Sequence, residues 1–127
     1  MTDLIIGFDF GTSKIGVAVG QKITASATPI GKVSATNGKP DWSQLDSIVD
    51  EWQPCLFVIG LPLNMDDSKN DITRAAERFA KRLLGRYKIP FEMMDERLST
   101  FEAKQGKTQD IDAASARLIL ETWLTQV

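Results

Sequence analysis

The chain reads as an α/β domain, a mixed β-sheet with helices on both faces and the order β-β-β-α-β-α-β-α. Three observations predict this. The two longest apolar runs, Leu4–Phe8 and Cys55–Ile59, are strand-sized. Turn residues split the N-terminal third into consecutive β-rich segments. In the rest of the chain, strand-like runs alternate with segments whose apolar residues recur at helical spacing.

Each element follows from local chemistry. Leu4–Phe10 is rich in β-branched and aromatic residues and reads as a central strand. Gly11-Thr-Ser13 is turn chemistry, and Ile15–Val19 returns as the second strand of a hairpin. Ile23–Val33 reads as a third strand, with Pro29 implying an edge or irregular position. Ser34–Pro40 reads as a polar loop. Asp41 can cap a helix to about Trp52, with Gln44 completing a capping box and Pro54 stopping it. Leu45, Ile48, Val49 and Trp52 form its apolar stripe. Leu56–Ile59 is a buried-type strand ending at Gly60, followed by the loop Leu61–Asn70. Asn70 or Asp71 opens the longest helix, whose apolar face is Ile72, Ala76, Phe79, Leu83 and Tyr87. Phe91–Met94 is a short strand after Pro90. Ser99-Thr-Phe-Glu102 is a capping-box pattern, placing a helix start just after Asp95–Leu98. The last helix runs from about Asp110 to Leu124.

Composition narrows the chemistry. The 127 residues are 43% hydrophobic and 25% charged, enough for one domain, 1–127, that buries its own core. Fifteen basic and seventeen acidic residues leave a net charge of −2, so charge alone does not drive tight nucleic-acid binding, although a local basic patch can. Histidine is absent, which excludes imidazole catalysis and His-ligated zinc. The single cysteine, Cys55, excludes an internal disulfide. No segment is long enough to cross a membrane, and the N-terminus runs straight into a strand, so a cytoplasmic location without membrane association is expected.

Three acidic positions are anomalous. Asp9 interrupts an apolar strand. Alternation puts Leu4, Ile6, Phe8 and Phe10 on one side and Ile5, Gly7, Asp9 and Gly11 on the other. A carboxylate there either accepts turn N–H groups or binds a metal. Asp112 shares a helical stripe with Ala116, Ile119 and Trp123, where it is either a solvated first-turn charge or a site residue. Asp95-Glu96 ends a strand, and its neighbours alternate faces, so one of the two can reach a shared site. Oxygen donors of this kind suit Mg²⁺ or Mn²⁺. Two such ions can serve a phosphodiester displacement. Arg74, Arg78, Arg82 and Arg86, with Lys81 nearby, form a basic stripe that is either a solvated helix face or a phosphate contact.

Four segments, taken in order, resemble one family. Ile6-Gly-Phe-Asp-Phe-Gly-Thr-Ser-Lys-Ile-Gly-Val-Ala-Val-Gly20, Ile59-Gly-Leu-Pro-Leu-Asn-Met-Asp66, Asp95-Glu-Arg-Leu-Ser-Thr100 and Ile111-Asp-Ala-Ala-Ser-Ala116 are similar to the motifs of the bacterial YqgF/RuvX family. The resemblance implies an RNase H-like fold related to RuvC-type Holliday-junction resolvases. It also implies a metal-dependent, two-metal-ion endonuclease that processes the 5′ end of 16S ribosomal RNA precursors in ribosome biogenesis, or else resolves DNA junctions. By the same resemblance Asp9, Glu96 and Asp112 are the catalytic metal ligands for Mg²⁺ or Mn²⁺, with Asp95 in reserve. Lys14, Arg97 and Asn64 are candidates for contacting substrate. Structured RNA (pre-16S rRNA) or branched DNA is the implied partner, together with ribosome-assembly or transcription partners; RNA versus DNA and oligomeric state stay open. The chain departs from the pattern twice. RuvC-type enzymes carry their second acid on the fourth strand, which here ends Ile59-Gly60 without one. The segment Phe101–Asp110 is also shorter than the Gly- and Lys-containing stretch that family members carry there.

Two other classes compete. Asp9-Phe-Gly-Thr12 also resembles the first phosphate-binding hairpin of actin-like ATPases, but those need two such domains and this chain has room for one. A non-catalytic interaction domain that keeps the fold is the other, consistent with the negative net charge.

Overall fold

The computed structural model describes residues 3–62, 66, 68–95 and 111–126, except the side chains of Ile111 and Asp112. The elements are β1 (Leu4–Asp9), β2 (Lys14–Gln21), β3 (Ser26–Thr36), β4 (Lys39–Pro40), α1 (Trp42–Trp52), β5 (Leu56–Leu61), α2 (Asp71–Tyr87), β6 (Phe91–Asp95) and α3 (Ile111–Thr125). They form a six-stranded sheet in the order β4-β3-β2-β1-β5-β6. The pairings β4–β3, β3–β2 and β2–β1 are antiparallel, whereas β1–β5 and β5–β6 are parallel. α1 and α2 cover one face and α3 the other. Among the described residues no helix is long and apolar enough to cross a membrane.

Strand alternation builds two cores. Ile6, Phe8, Phe10, Ile15, Val17, Val33, Phe57 and Ile59 face α1 and α2, packing on Leu45, Ala76, Phe79, Ala80 and Leu83. Phe79 anchors this layer, edge-on to Phe8 with centroids 5.3 Å apart and tilted against Phe10 at 5.4 Å. On the other face Ile5, Val58 and Met94 pack against Ile119, Leu120, Trp123 and Leu124 of α3.

The expected order holds, with local corrections. Ser34–Pro40 is not a loop. β3 continues to Thr36 and hairpins into β4, because Asn37 (φ 51°) and Gly38 (φ 82°) supply the two left-handed positions of a tight hairpin turn. The third strand starts at Ser26 rather than Ile23, since Ala25 N–H closes a turn on the Lys22 carbonyl (3.2 Å) and leaves Ile23 86% exposed. Asp41 caps α1 by accepting from Ser43 N–H and Gln44 N–H. Gln44 does not complete the capping box. Its Oε1 accepts from Ser34 N–H at 2.9 Å, while Asp41 N–H donates to the Ser34 carbonyl, so both groups tie α1 to β3.

On α2, Ile72 lies outside the apolar face at 46% exposure, and Thr73 is buried in its stead. The capping box explains this. Thr73 N–H donates to Asn70 Oδ1 (2.8 Å), Asn70 N–H donates to Thr73 Oγ1 (3.1 Å), and that hydroxyl donates to the Pro62 carbonyl. The buried threonine is therefore fully paired. The helix start expected after Asp95–Leu98, with its Ser99–Glu102 box, lies outside the described residues, as does the segment Phe101–Asp110.

Candidate active site

The site is set by how α3 lies on β1. A Cβ added to Gly7 would stand 2.9 Å from Leu120 Cβ and 3.4 Å from the Ala116 carbonyl oxygen. One added to Gly20, which pairs with Ile5, would stand 3.0 Å from Leu120 Cδ2 and 3.2 Å from Leu124 Cδ1. The missing side chains let the helix seat directly on the sheet. The same contacts give its direction. From Ala116 to Leu124, α3 moves toward the start of β1, so it runs antiparallel to that strand. The backbone of Asp112, one turn before Ala116, is displaced about 6 Å toward the end of β1. Asp9 is two residues beyond Gly7 on the same face, about 7 Å in the same direction. Helix and strand thus bring the two acid positions to one level on one side of the sheet.

β1, β5 and β6 are parallel and end at the same edge, where Leu61 pairs with Asp95. β5 (Leu-Phe-Val-Ile-Gly-Leu) carries no acid there. On β6, Phe91 and Met93 pack into the α1–α2 core and Met94 into the α3 core. Glu92, on the α3 side, accepts from Trp123 Nε1–H at 3.3 Å. Asp95 shares the parity of Phe91 and Met93, so the sheet separates it from Asp9. Asp9 is half-buried at its strand end.

Lys14 opens β2 as an exposed residue opposite Ser34. Because Asp9 pairs with Gly16, Lys14 falls two residues further along the row of Asp9's face. Glu96, Arg97, Asn64 and the Asp112 side chain lie outside the described residues. The basic stripe belongs to the opposite layer. Arg86 is committed to Asp46 (2.7 Å) and Arg74 approaches Asp71 (3.7 Å), while Arg78, Lys81 and Arg82 are exposed. One cation on Asp9's own face, Lys32, carries no motif in the sequence. Only the strand register places it there.

The donor chemistry suits a hard divalent cation. Asp9 offers carboxylate oxygens at a strand end, on the face where glycine rather than a side chain lies beneath the helix. Among the described residues no group of three or more potential ligands comes together.

Residues 3–126 match the model of the RuvX family, described as Holliday junction resolvase. A Nitrosococcus oceani protein named "Putative pre-16S rRNA nuclease" is 48% identical, over 97% of this chain and 87% of its own length. One of the same name from Glaesserella parasuis is 45% identical over 99% of both chains. Among solved structures, Thermus thermophilus RuvC in complex with a Holliday junction substrate superposes with a TM-score of 0.56 at 9% identity, covering 98% of this chain and 96% of that one. That likeness establishes a common RNase H-like fold.

Proposed function

The chain belongs to the RuvX family of Holliday junction resolvases, and from that premise we propose that residues 1–127 form a single nuclease domain. In this reading it is a metal-dependent endonuclease that hydrolyses phosphodiester bonds of structured nucleic acid. Its principal substrate is the 5′ end of pre-16S rRNA, encountered in the cytoplasm during ribosome assembly. The observation that supports this is the seating of α3 on Gly7, from which helix rise puts the backbone of Asp112 near the level of Asp9.

Asp9, Glu96 and Asp112 would hold Mg²⁺ or Mn²⁺. Bound there, the ions supply an activated water and charge stabilisation for the attacking and leaving oxygens. Asp9 anchors the ligand set from the sheet, where β1 is held on both sides. Asp95 is a poor alternative to Glu96, because it shares the parity of Phe91 and Met93, which face away from Asp9's side of the sheet. Lys14, Arg97 and Asn64 orient the substrate backbone. The family description favours a second substrate, branched DNA, cut by the same residues.

The test is cleavage of a panel with Mg²⁺ and Mn²⁺: a pre-16S 5′ leader, single-stranded RNA, duplex DNA and a four-way DNA junction. Wild type should cut the leader best, and Asp9→Asn should lose more than the roughly 10–100-fold that removing only an outer partner of a metal ligand costs. Its circular dichroism should be unchanged. Cleavage by Asp9→Asn at the wild-type rate would remove the assignment. Preference for the junction would move it to DNA resolution.

A further inference from the structure

We propose that Lys32 binds substrate, holding a phosphate that flanks the one hydrolysed. This inference rests on the nuclease reading of Asp9, and it concerns a residue that no motif marks.

Register is the first observation. Down the β2–β3 hairpin, Val19 pairs with Thr28 and Ala18 with Pro29, but Val17 pairs with Gly31. Ile30 is the extra residue of a β-bulge. Beyond it Gly16 pairs with Lys32, and Gly16 pairs on its other side with Asp9. Without the bulge, Lys32 would fall opposite Ile15 and face the α1–α2 core. With it, Asp9, Gly16 and Lys32 form one row on one face. Two strand spacings separate the ends of the row, about 10 Å between Cα atoms. The residue between them is glycine, so no side chain of the row stands between carboxylate and ammonium.

The second observation is that this cation is uncommitted. Lys69 is bound to Glu77, Arg86 to Asp46, and Lys22 lies over the Trp123 ring. Lys32 is exposed and has no polar partner among the described residues. A carboxylate beside the scissile bond repels a polyanion. A flexible ammonium within about one Debye length offsets that repulsion for the strand being cut.

The third is a path. Directly below Lys32, a groove runs between Ala27–Gly31 of β3 and Ala113, Ala114 and Arg117 of α3. β4 covers β3 only at Ala35 and Thr36, so this flank of the sheet is open. A nucleic-acid strand leaving Asp9 across Gly16 passes Lys32 before it enters the groove.

A plain edge-strand role competes, since an exposed lysine on an edge deters pairing with other chains. The experiment separates the two. Lys32→Ala, Lys32→Arg and, as control, Lys22→Ala are compared on whichever of the leader RNA and the four-way junction the wild type cuts. Binding is measured in parallel by anisotropy in an Asp9→Asn background at several salt concentrations. Lys32→Ala should raise KM roughly five- to tenfold with kcat nearly unchanged, and lower the salt slope by about 0.7–0.9. Lys32→Arg should restore both. An unaltered KM and slope in Lys32→Ala, with cleavage intact, overturns the inference and leaves the nuclease reading standing. Binding without cleavage by wild type overturns the nuclease reading, and the slope still decides Lys32. Absence of binding overturns both.

Discussion

Asp46 ties together the two helices that cover one face of the sheet. Its carboxylate accepts from Arg86 Nε–H (2.9 Å) and Nη2–H (2.7 Å) and from the Tyr87 hydroxyl (2.6 Å). The Arg86 guanidinium also sits 4.8 Å from the centre of the Trp42 ring. The Arg86 hydrogen bond, then that from Tyr87, pulls the Asp46 pKa down to about 2 from 3.8. A depressed carboxylate stabilises the fold above its unfolded pKa, and that contribution is lost as pH falls through the folded value. Thermal stability should therefore decline between about pH 4 and pH 2, and Asp46→Asn should flatten that decline. The effect is modest because both partners are over 40% exposed, at 43% and 45%. Burial, followed by the Asp46 hydrogen bond, pushes the Tyr87 phenol up from its usual 10, so stability should also fall above pH 10, where the unfolded phenol ionises first. Thermal melts across pH on wild type, Asp46→Asn and Tyr87→Phe check both limbs. None of this was legible in the sequence. Arg86 reads there as one member of a basic stripe, and its partner is forty positions away. Spacing along a helix identifies a face but not what crosses to it.

Among the elements, α3 depends most on a residue outside itself. Gly7→Ala would drive a methyl to 2.9 Å from Leu120 Cβ, against a helix with Ile119 and Leu120 fully buried. Overpacking of this kind costs about 1–3 kcal/mol. Because the helix also carries Asp112, Gly7→Ala should lower activity by more than its stability loss explains. Cleavage rates well below the melting transition, compared with the urea midpoint, measure the two separately. At the start of α2, Asn70→Ala removes the acceptor for Thr73 N–H and should cost about 1 kcal/mol. The elements themselves were largely readable. Alternation in Leu4–Phe10 separated the Phe8 face from the Asp9 face, and the 3.6-residue period found Ala76, Phe79 and Leu83. The misread boundaries share a cause. Ile23, Ile72 and Gln44 carry plausible local signals, but a turn, a buried cap and a bond to β3 decided them. Asp9 could be singled out because a charge in an apolar strand is conspicuous. Lys32 could not, because a one-residue bulge sets its side of the sheet. Glu96, Arg97, Asn64 and the Asp112 side chain stand on resemblance, outside the described residues.

At the scale of the whole molecule, β1 is the strand where antiparallel pairing on one side meets parallel pairing on the other. Its carboxyl end is the kind of place where open α/β sheets take their ligands. The chain puts Asp9 there. It has no histidine, so a metal ion held at that edge would take oxygen donors. An ion that binds the folded chain and not the unfolded one must raise stability by mass action, by about 2.7 kcal/mol at a concentration 100-fold above Kd. For a domain of this size that corresponds to a Tm increase of roughly 10 °C. Mn²⁺ titrated into the apo-protein should give such an increase, EDTA should reverse it, and Asp9→Asn should nearly abolish it, since one ligand is gone. That contrast, an Mn²⁺ shift in wild type and almost none in the mutant, is the signature of a ligand rather than a structural carboxylate. An equal Mn²⁺ shift in wild type and Asp9→Asn would place the ion away from β1 and take Asp9 out of the ligand set.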